Sequence, residues 1–219
     1  MEEIENVERL AEENSELAKV EKESAIDMKH EAELTVKRAK AREMLVENEI
    51  ELTKIRERLA EKTKKLVGRK EKVKELLKFG DEGLKIEKSQ AIYNERVAEI
   101  QIKIAEIQRK IANVETEIAE VKVKLANKKL HEAKDRDNLA KKLFAYVKLM
   151  RESAPNEKIS KAEEAYLKIQ KDLANLETDV MEIHKSIIGK QNKLADLKKD
   201  HSAKLAEREK IRPITFSSQ

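Results

Sequence analysis

The side chains of this chain best suited to transfer protons or to bind a metal ion near neutral pH are its four histidines, His30, His131, His184 and His201. They lie far apart in the sequence, and only His131 has an acid, Asp135, at the i,i+4 spacing that puts two residues on one helix face. No further metal ligand stands at a suitable spacing, so the pair predicts a surface hydrogen bond. The sequence contains no HExxH, no GxSxG, no phosphate-binding glycine loop and no cysteine. We therefore expect no enzyme, no metal and no cofactor.

The composition favours a few long helices over rounded domains with thick cores. The 219 residues are 42% charged and 3% aromatic, whereas ordinary globular chains carry about 25% charged residues. The longest uninterrupted apolar stretch, 143–147, is far shorter than the roughly 18–20 residues that span a bilayer. The acidic start also lacks the basic and apolar regions of a signal peptide. We expect a cytoplasmic protein, and peripheral contact with a membrane stays open.

A seam of apolar residues runs through the middle of the chain at spacings of three and four. Its members are Val97, Ile100, Ile104, Ile107, Ile111, Val114, Ile118, Val121 and Leu125. This is the a/d pattern of a coiled coil, in which a narrow stripe packs against another long helix. A second seam of the same kind includes Ile169, Leu173, Leu176, Val180 and Ile183. Between the two seams the charged stretch 126–138 predicts a kink or a stutter.

Two heptad patterns occur near the start of the chain. The small residues are Ala11, Ala18, Ala25, Ala32 and Ala39, and the large residues that follow are Leu45, Leu52, Leu59, Leu66 and Val73. Both sets recur every seven residues. They predict the face through which the first helix packs on its partner, and the small residues predict a close approach.

Two breaker segments divide the chain into three helices. The paired-glycine segment Phe79-Gly80-Asp81-Glu82-Gly83 and the segment Ser153-Ala154-Pro155-Asn156 read as turns, and Ser153 or Asn156 is expected to cap the third helix. The predicted helices are 4–79, 84–153 and 156–211, in one domain, 1–211, with a flexible tail over 212–219. The predicted fold is all-α, with three long antiparallel helices in an elongated coiled-coil rod that dimerises.

Antiparallel folding predicts which parts of the helices meet. Residue numbers should add to about 163 between the first two helices and to about 310 between the second and third. Residues 1–25, with nine acids and three bases, then face the basic stretch 138–162. Beyond the reach of the third helix, an exposed arm is expected to offer apolar residues to a partner. These are Leu84, Ile86, Ala91 and Ile92.

The charge is unevenly distributed along the chain. Residues 1–53 carry 8 basic and 16 acidic groups, whereas 54–90 carry 13 and 7. Two sets of cations are candidates for binding anionic phospholipid: the first is Lys62, Lys64, Lys65, Arg69 and Lys70, and the second is Lys37, Arg38, Lys122 and Lys124. The alternatives are an ordinary solvated face and, third, nucleic acid, for which the chain lacks an aromatic stacking platform.

Part of the sequence is similar to a known family. The stretch from Asp135-Arg136 through Phe144-Ala145-Tyr146-Val147-Lys148 to Ser153-Ala154-Pro155-Asn156-Glu157-Lys158-Ile159 resembles a helix junction of fungal eisosome-core BAR proteins. Lys161-Ala162-Glu163-Glu164 and Lys168-Ile169-Gln170-Lys171 are similar to the opening of the third helix in BAR domains. The resemblance covers about 40 of the 219 residues. It implies a crescent-shaped dimer whose basic residues face anionic headgroups and whose end contacts build a lattice.

Two classes of function follow. The first is a self-associating scaffold that shapes or coats anionic membranes through its basic patches. The second is a cytoskeletal or tethering coiled coil that forms filaments or captures a partner helix without lipid. The expected partners are a second copy of the chain, an anionic phospholipid surface or a coiled-coil protein.

Overall fold

In the computed structural model of the protein, residues 2–77 and 82–211 are described. They form three α-helices, α1 (Glu2–Leu77), α2 (Glu82–Arg151) and α3 (Asn156–Lys210), and this part of the chain has no strand. The prediction of an all-α chain with three long helices is confirmed. Of the predicted turn at 79–83, residues 79–81 lie outside the described residues, whereas Glu82 and Gly83 already belong to α2, so the turn ends earlier than predicted. The predicted tail also lies outside the described residues.

The contacts between the helices fall into two compact units. Unit 1 consists of Met1–Lys37 and Glu117–Gln191, and unit 2 of Arg38–Thr116 and Asn192–Gln219. Each unit contains a stretch of all three helices, so each can be described by itself.

Ion pairs between α1 and α2 show that the two helices are antiparallel in both units. In unit 1 Ser15 donates to Asp137 and Glu21 pairs with Arg136, so α1 numbers rise as α2 numbers fall. Unit 2 contains a series of ion pairs with the same trend. This series is Arg42–Glu115, Lys64–Glu95 and Lys70–Glu87. The residue numbers in all four ion pairs add to 157–159, so the predicted value of about 163 was too high by four to six residues.

Helix α3 is antiparallel to α2 in both units. The pairs are Lys128–Asp179 and Glu117–Lys190 in unit 1, and Glu115–Lys198 in unit 2. Their numbers add to 307–313. The predicted value of about 310 is confirmed.

Small residues form the buried side of α1 and α2. On α1 they recur every seven residues as Ala11, Ala18, Ala25, Ala32, Ala39, Val46, Thr53, Ala60 and Val67. On α2 the same interval gives Leu84, Ala91, Ala98, Ala105, Ala112, Ala119, Ala126, Ala133, Ala140 and Val147. In unit 2, Ala105 packs in one buried cluster with Val46 and Ile50 of α1. An alanine side chain lets two helix backbones approach closely, and its helix propensity is the highest of all residues.

The large heptad of α1 lies outside this interface. The side chains from Leu45 to Val73 that recur every seven residues are 54–68% exposed. Within this chain they therefore do not form the packing face of α1. Leu45, Leu52, Leu59 and Leu66 each stand one residue before a buried position, about 100° away around the helix, and the smaller residue is the buried one.

The predicted seam of α2 is at least half-buried throughout. Six of its nine members are buried, and Val97, Ile107 and Val121 are half-buried. In the second seam Leu173 and Leu176 are buried and the other three residues are half-buried. Helix α2 stays α-helical through the charged stretch 126–138, because the alanine heptad continues there with Ala126 and Ala133. The predicted kink therefore does not interrupt the helix.

The predicted exposed arm is partly closed. Leu84 and Ala91 are buried, Ile92 is half-buried and Ile86 is exposed. The first two belong to the heptad that packs on α1, so only Ile86 remains largely accessible.

The junction between α2 and α3 ends one helix and starts the next within four residues. Ser153 has a φ of 49°, and its N–H donates to the carbonyl of Met150 while the N–H of Ala154 donates to that of Leu149. This is the left-handed ending of a Schellman motif. The carbonyl of Pro155 accepts the first bond of α3, from Lys158. Ser153 therefore terminates α2, and was wrongly expected to cap α3.

Candidate interaction surfaces

The first predicted cation set lies on α1 in unit 2. Lys64 pairs with Glu95 of α2, Lys70 pairs with Glu87 of α2 at 2.9 Å, and Lys65 pairs with Glu61 of its own helix at 2.6 Å. Among the described side chains, none forms an ion pair with Lys62 or Arg69. The set therefore splits into three cations that support the fold and two that face solvent.

Three of these cations share a helix side with the exposed leucines. Residues three or four positions apart lie on the same side of a helix, and the side that contains Leu59, Leu66 and Val73 carries no acid. Its cations are Lys62, Arg69 and Lys70, and the exposed Arg58, Lys65 and Lys72 flank it, each one residue before one of the three apolar residues. The nearby acids Glu61 and Glu71 lie on other sides of α1, and Glu71 pairs with Lys88 of α2. We call residues 58–73 on this side the leucine–cation face.

An open groove adjoins the leucine–cation face. It has a volume of about 680 Å³, and Leu66, Arg69 and Val73 of α1 line it together with Leu84 and Glu87 of α2. The face therefore combines exposed apolar side chains, cations and a shallow depression.

The second predicted cation set is also exposed. Lys37, Lys122 and Lys124 belong to unit 1 and Arg38 is the first residue of unit 2. None of the four takes part in an ion pair with another described side chain. They are accessible, but no exposed leucine heptad accompanies them.

The described acids at the start of α1, from Glu12 onward, form few ion pairs with α2. Lys141, Lys148 and Lys161, expected to face it, pair instead with acids of their own helices. Glu21 does pair across, with Arg136. Three acids have no cation within ion-pair distance among the described residues: Glu12, Glu16 and Glu23.

The acidic start also exposes apolar residues. Leu10 and Leu17 are each 53% exposed and Val20 is 63% exposed. Glu13, Glu16 and Glu23 lie on the same side of α1 as these residues, by the same helical spacing. We call residues 10–23 on this side the leucine–acid face.

Two single residues tie all three helices together, and the sequence patterns did not single them out. In unit 1, the Arg136 guanidinium binds Glu21 of α1 at 3.0 Å, Glu132 of α2 at 2.6 Å and Glu177 of α3 at 3.7 Å. In unit 2, the Glu115 carboxylate binds Arg42 of α1 at 2.9 Å and Lys198 of α3 at 3.7 Å. The pairs with α3 lie close to the predicted α2–α3 register, but the pairs with α1 lie at a sum of 157, which the predicted value of about 163 misses.

A cavity of about 510 Å³ lies beside Arg136 in unit 1, and Leu17, Leu143, Tyr166 and Leu173 contribute to its lining. The charged lining groups Arg136, Glu21 and Glu177 are already paired with one another. The cavity therefore offers apolar surface but no unpaired charge for a ligand.

Two titratable side chains on α2, His131 and Asp137, make contacts that can be described. His131 Nε2 lies 3.3 Å from Asp135 Oδ2, on an exposed surface. A hydrogen bond from Lys141 lowers the pKa of Asp137; burial opposes the shift, and the Ser15 hydroxyl, which donates at 2.8 Å, adds to it. Because this pKa is depressed in the folded state, the stabilisation is present above the ordinary value of about 3.9 and is lost as pH falls through the folded value.

Within the described ranges, no cluster of three or more His, Asp or Glu side chains could hold a metal ion. None of the helices described is long and apolar enough to cross a membrane. Comparison with known proteins adds no relative, because no protein-family model, curated protein or solved structure matches this chain.

Proposed function

We propose that this chain is a non-enzymatic helical scaffold that binds anionic membrane surfaces through the leucine–cation face of α1. The observation that carries the proposal is the exposure of Lys62 and Arg69, without ion-pair partners among the described side chains, beside the exposed Leu59 and Leu66. A helix side of this composition suits the boundary between headgroups and acyl chains.

The expected affinity comes from several small terms. Each Lys or Arg near an anionic leaflet contributes about 1 kcal/mol, and Lys70 of the face is already paired with Glu87. Lys62 and Arg69 remain as the main electrostatic contacts, and the exposed Arg58 and Lys72 lie beside them. The resemblance to BAR domains supports the same proposal, since it implies basic residues that face phospholipid headgroups.

Co-sedimentation with liposomes tests the proposal. The double variant Lys62→Glu/Arg69→Glu should bind phosphatidylserine-containing liposomes at least roughly 30-fold more weakly, which corresponds to about 2 kcal/mol. The matched control is Lys168→Glu/Lys171→Glu on α3, which changes the net charge equally at two exposed positions. The control should bind like the unmodified chain.

Equal losses in both double variants would show that net charge alone governs binding and would refute the assignment to this face. No binding of the unmodified chain to anionic liposomes at physiological salt would refute the function itself. A further variant that reverses Lys37, Arg38, Lys122 and Lys124 measures the contribution of the second cation set.

A second candidate is a coiled-coil tether that works without lipid. The seven-residue interval of the exposed leucines favours it, because a partner helix in a coiled coil packs against apolar residues that recur at this interval. Filaments or a stable helical complex in the absence of liposomes, seen by electron microscopy, would support it.

A further inference from the structure

We propose that the leucine–acid face of one copy of the chain binds the leucine–cation face of another copy. The leucine–cation face is also the membrane-binding face of the proposed function, so the inference rests on that function in assigning binding to this face. The contact between copies itself needs no lipid.

The two faces are complementary in charge. The leucine–acid face carries Glu13, Glu16 and Glu23. The leucine–cation face carries Lys62, Arg69 and Lys70 and no acid. Over longer stretches the contrast persists, because residues 1–25 have nine acids and three bases while 52–75 have four acids and ten bases. Opposite fields of this kind steer association and select the partner.

The two faces also match in apolar pattern. Leu10 and Leu17 are seven residues apart, as are Leu59, Leu66 and Val73. Helices whose exposed apolar residues share one interval can interdigitate along a common seam. The contact therefore combines apolar side chains at its centre with ion pairs at its edges.

Contacts inside the chain leave these charges available. Glu16 and Glu23 have no ion-pair partner among the described residues, and neither have Lys62 and Arg69. All four side chains are exposed. The contact between copies would therefore form without breaking an ion pair of the fold at these positions.

Reciprocal charge reversal tests the contact by sedimentation velocity, without lipid and at low salt. Glu16→Lys/Glu23→Lys makes both faces of a copy basic, and Lys62→Glu/Arg69→Glu gives its cation face acids. Each variant alone should associate at least about tenfold more weakly than the unmodified chain. An equimolar mixture should recover association, because each reversed face then meets its opposite. Circular dichroism should show equal helicity in all samples.

Three outcomes would overturn the inference: the unmodified chain sediments as a single 25.3 kDa chain at all concentrations, either variant associates like the unmodified chain, or the mixture fails to recover association. Liposome binding gives a separate readout. If the mixture fails while Lys62→Glu/Arg69→Glu alone loses liposome binding, the contact between copies is wrong and the proposed function stands. If the mixture recovers association while neither variant changes liposome binding, the contact between copies stands and the proposed membrane function is wrong.

Discussion

At the residue scale, one charged side chain in each unit connects three helices. Arg136 does so in unit 1 and Glu115 in unit 2, with opposite signs. The planar guanidinium of arginine presents several N–H groups in fixed directions, so it can bind carboxylates from three elements at once. Such a residue constrains the register between helices more than a pair within one helix does.

We expect Arg136→Met to destabilise the protein by about 1–2 kcal/mol, because it leaves the largely buried Glu132 carboxylate without its cation. The expected loss of stability is small because the Arg136 side chain is 37% exposed and solvent screens its ion pairs. Urea unfolding followed by circular dichroism measures the change. Arg96→Met is the control, because Arg96 is exposed and makes no ion pair with another described side chain; equal midpoints for the two variants would contradict a structural role of Arg136.

At the element scale, the heptad of small residues decides how α1 and α2 pack. The numbers of Ala60 and Ala98 add to 158, between the sums of 157 and 159 for the ion pairs Arg42–Glu115 and Lys64–Glu95 of unit 2, and both side chains are buried. A methyl group at most positions of this interface brings the backbones close together. Large side chains would hold the helices apart, which explains why Leu59 and Leu66 lie outside the interface.

We expect Ala105→Leu to destabilise the protein by about 1–3 kcal/mol, because Ala105 is 2% exposed and the added carbons would overpack the cluster with Val46 and Ile50. Thermal unfolding monitored by circular dichroism is the measurement. Ala145→Leu on the exposed side of α2 should change stability by less than about 0.5 kcal/mol. A stability of Ala105→Leu equal to that of this control would show that the α1–α2 interface has room for larger side chains.

At the scale of the whole molecule, α1 carries an acidic segment and a basic segment on one continuous helix. Under the two proposals, the basic segment binds both an anionic membrane and the acidic segment of another copy. A membrane surface and a second copy would then compete for the leucine–cation face. Association in solution would lower the fraction of chains that can bind lipid.

We expect Glu16→Gln/Glu23→Gln to bind anionic liposomes more tightly than the unmodified chain, by about threefold to tenfold at protein concentrations where the unmodified chain associates. The control Glu163→Gln/Glu164→Gln removes two exposed acids of α3 and changes the net charge equally. Liposome titration at two protein concentrations is the measurement. An equal gain in both variants would argue against competition between lipid and a second copy.

The sequence by itself determined the elements of this protein and part of their pairing. High charge, few breakers and the three-and-four spacing of Val97–Leu125 predict long helices, because these are local properties of the chain. The spacing of α2 and α3 about the Ser153-Ala154-Pro155-Asn156 segment also predicts their register correctly, since the junction leaves few residues between the two helices.

Only the tertiary structure decided which side of α1 is buried and which cations are free. Leu45 and Val46 belong to heptads of the same period, so periodicity alone cannot say which of the two is buried. The close approach of α1 to the alanines of α2 buries Val46, the smaller residue. Likewise, the sequence presents Lys62, Lys64 and Lys70 as equivalent cations. The register between α1 and α2 places Glu95 and Glu87 beside the last two and leaves Lys62 exposed, because an ion pair depends on distances between helices that no pattern within one helix contains.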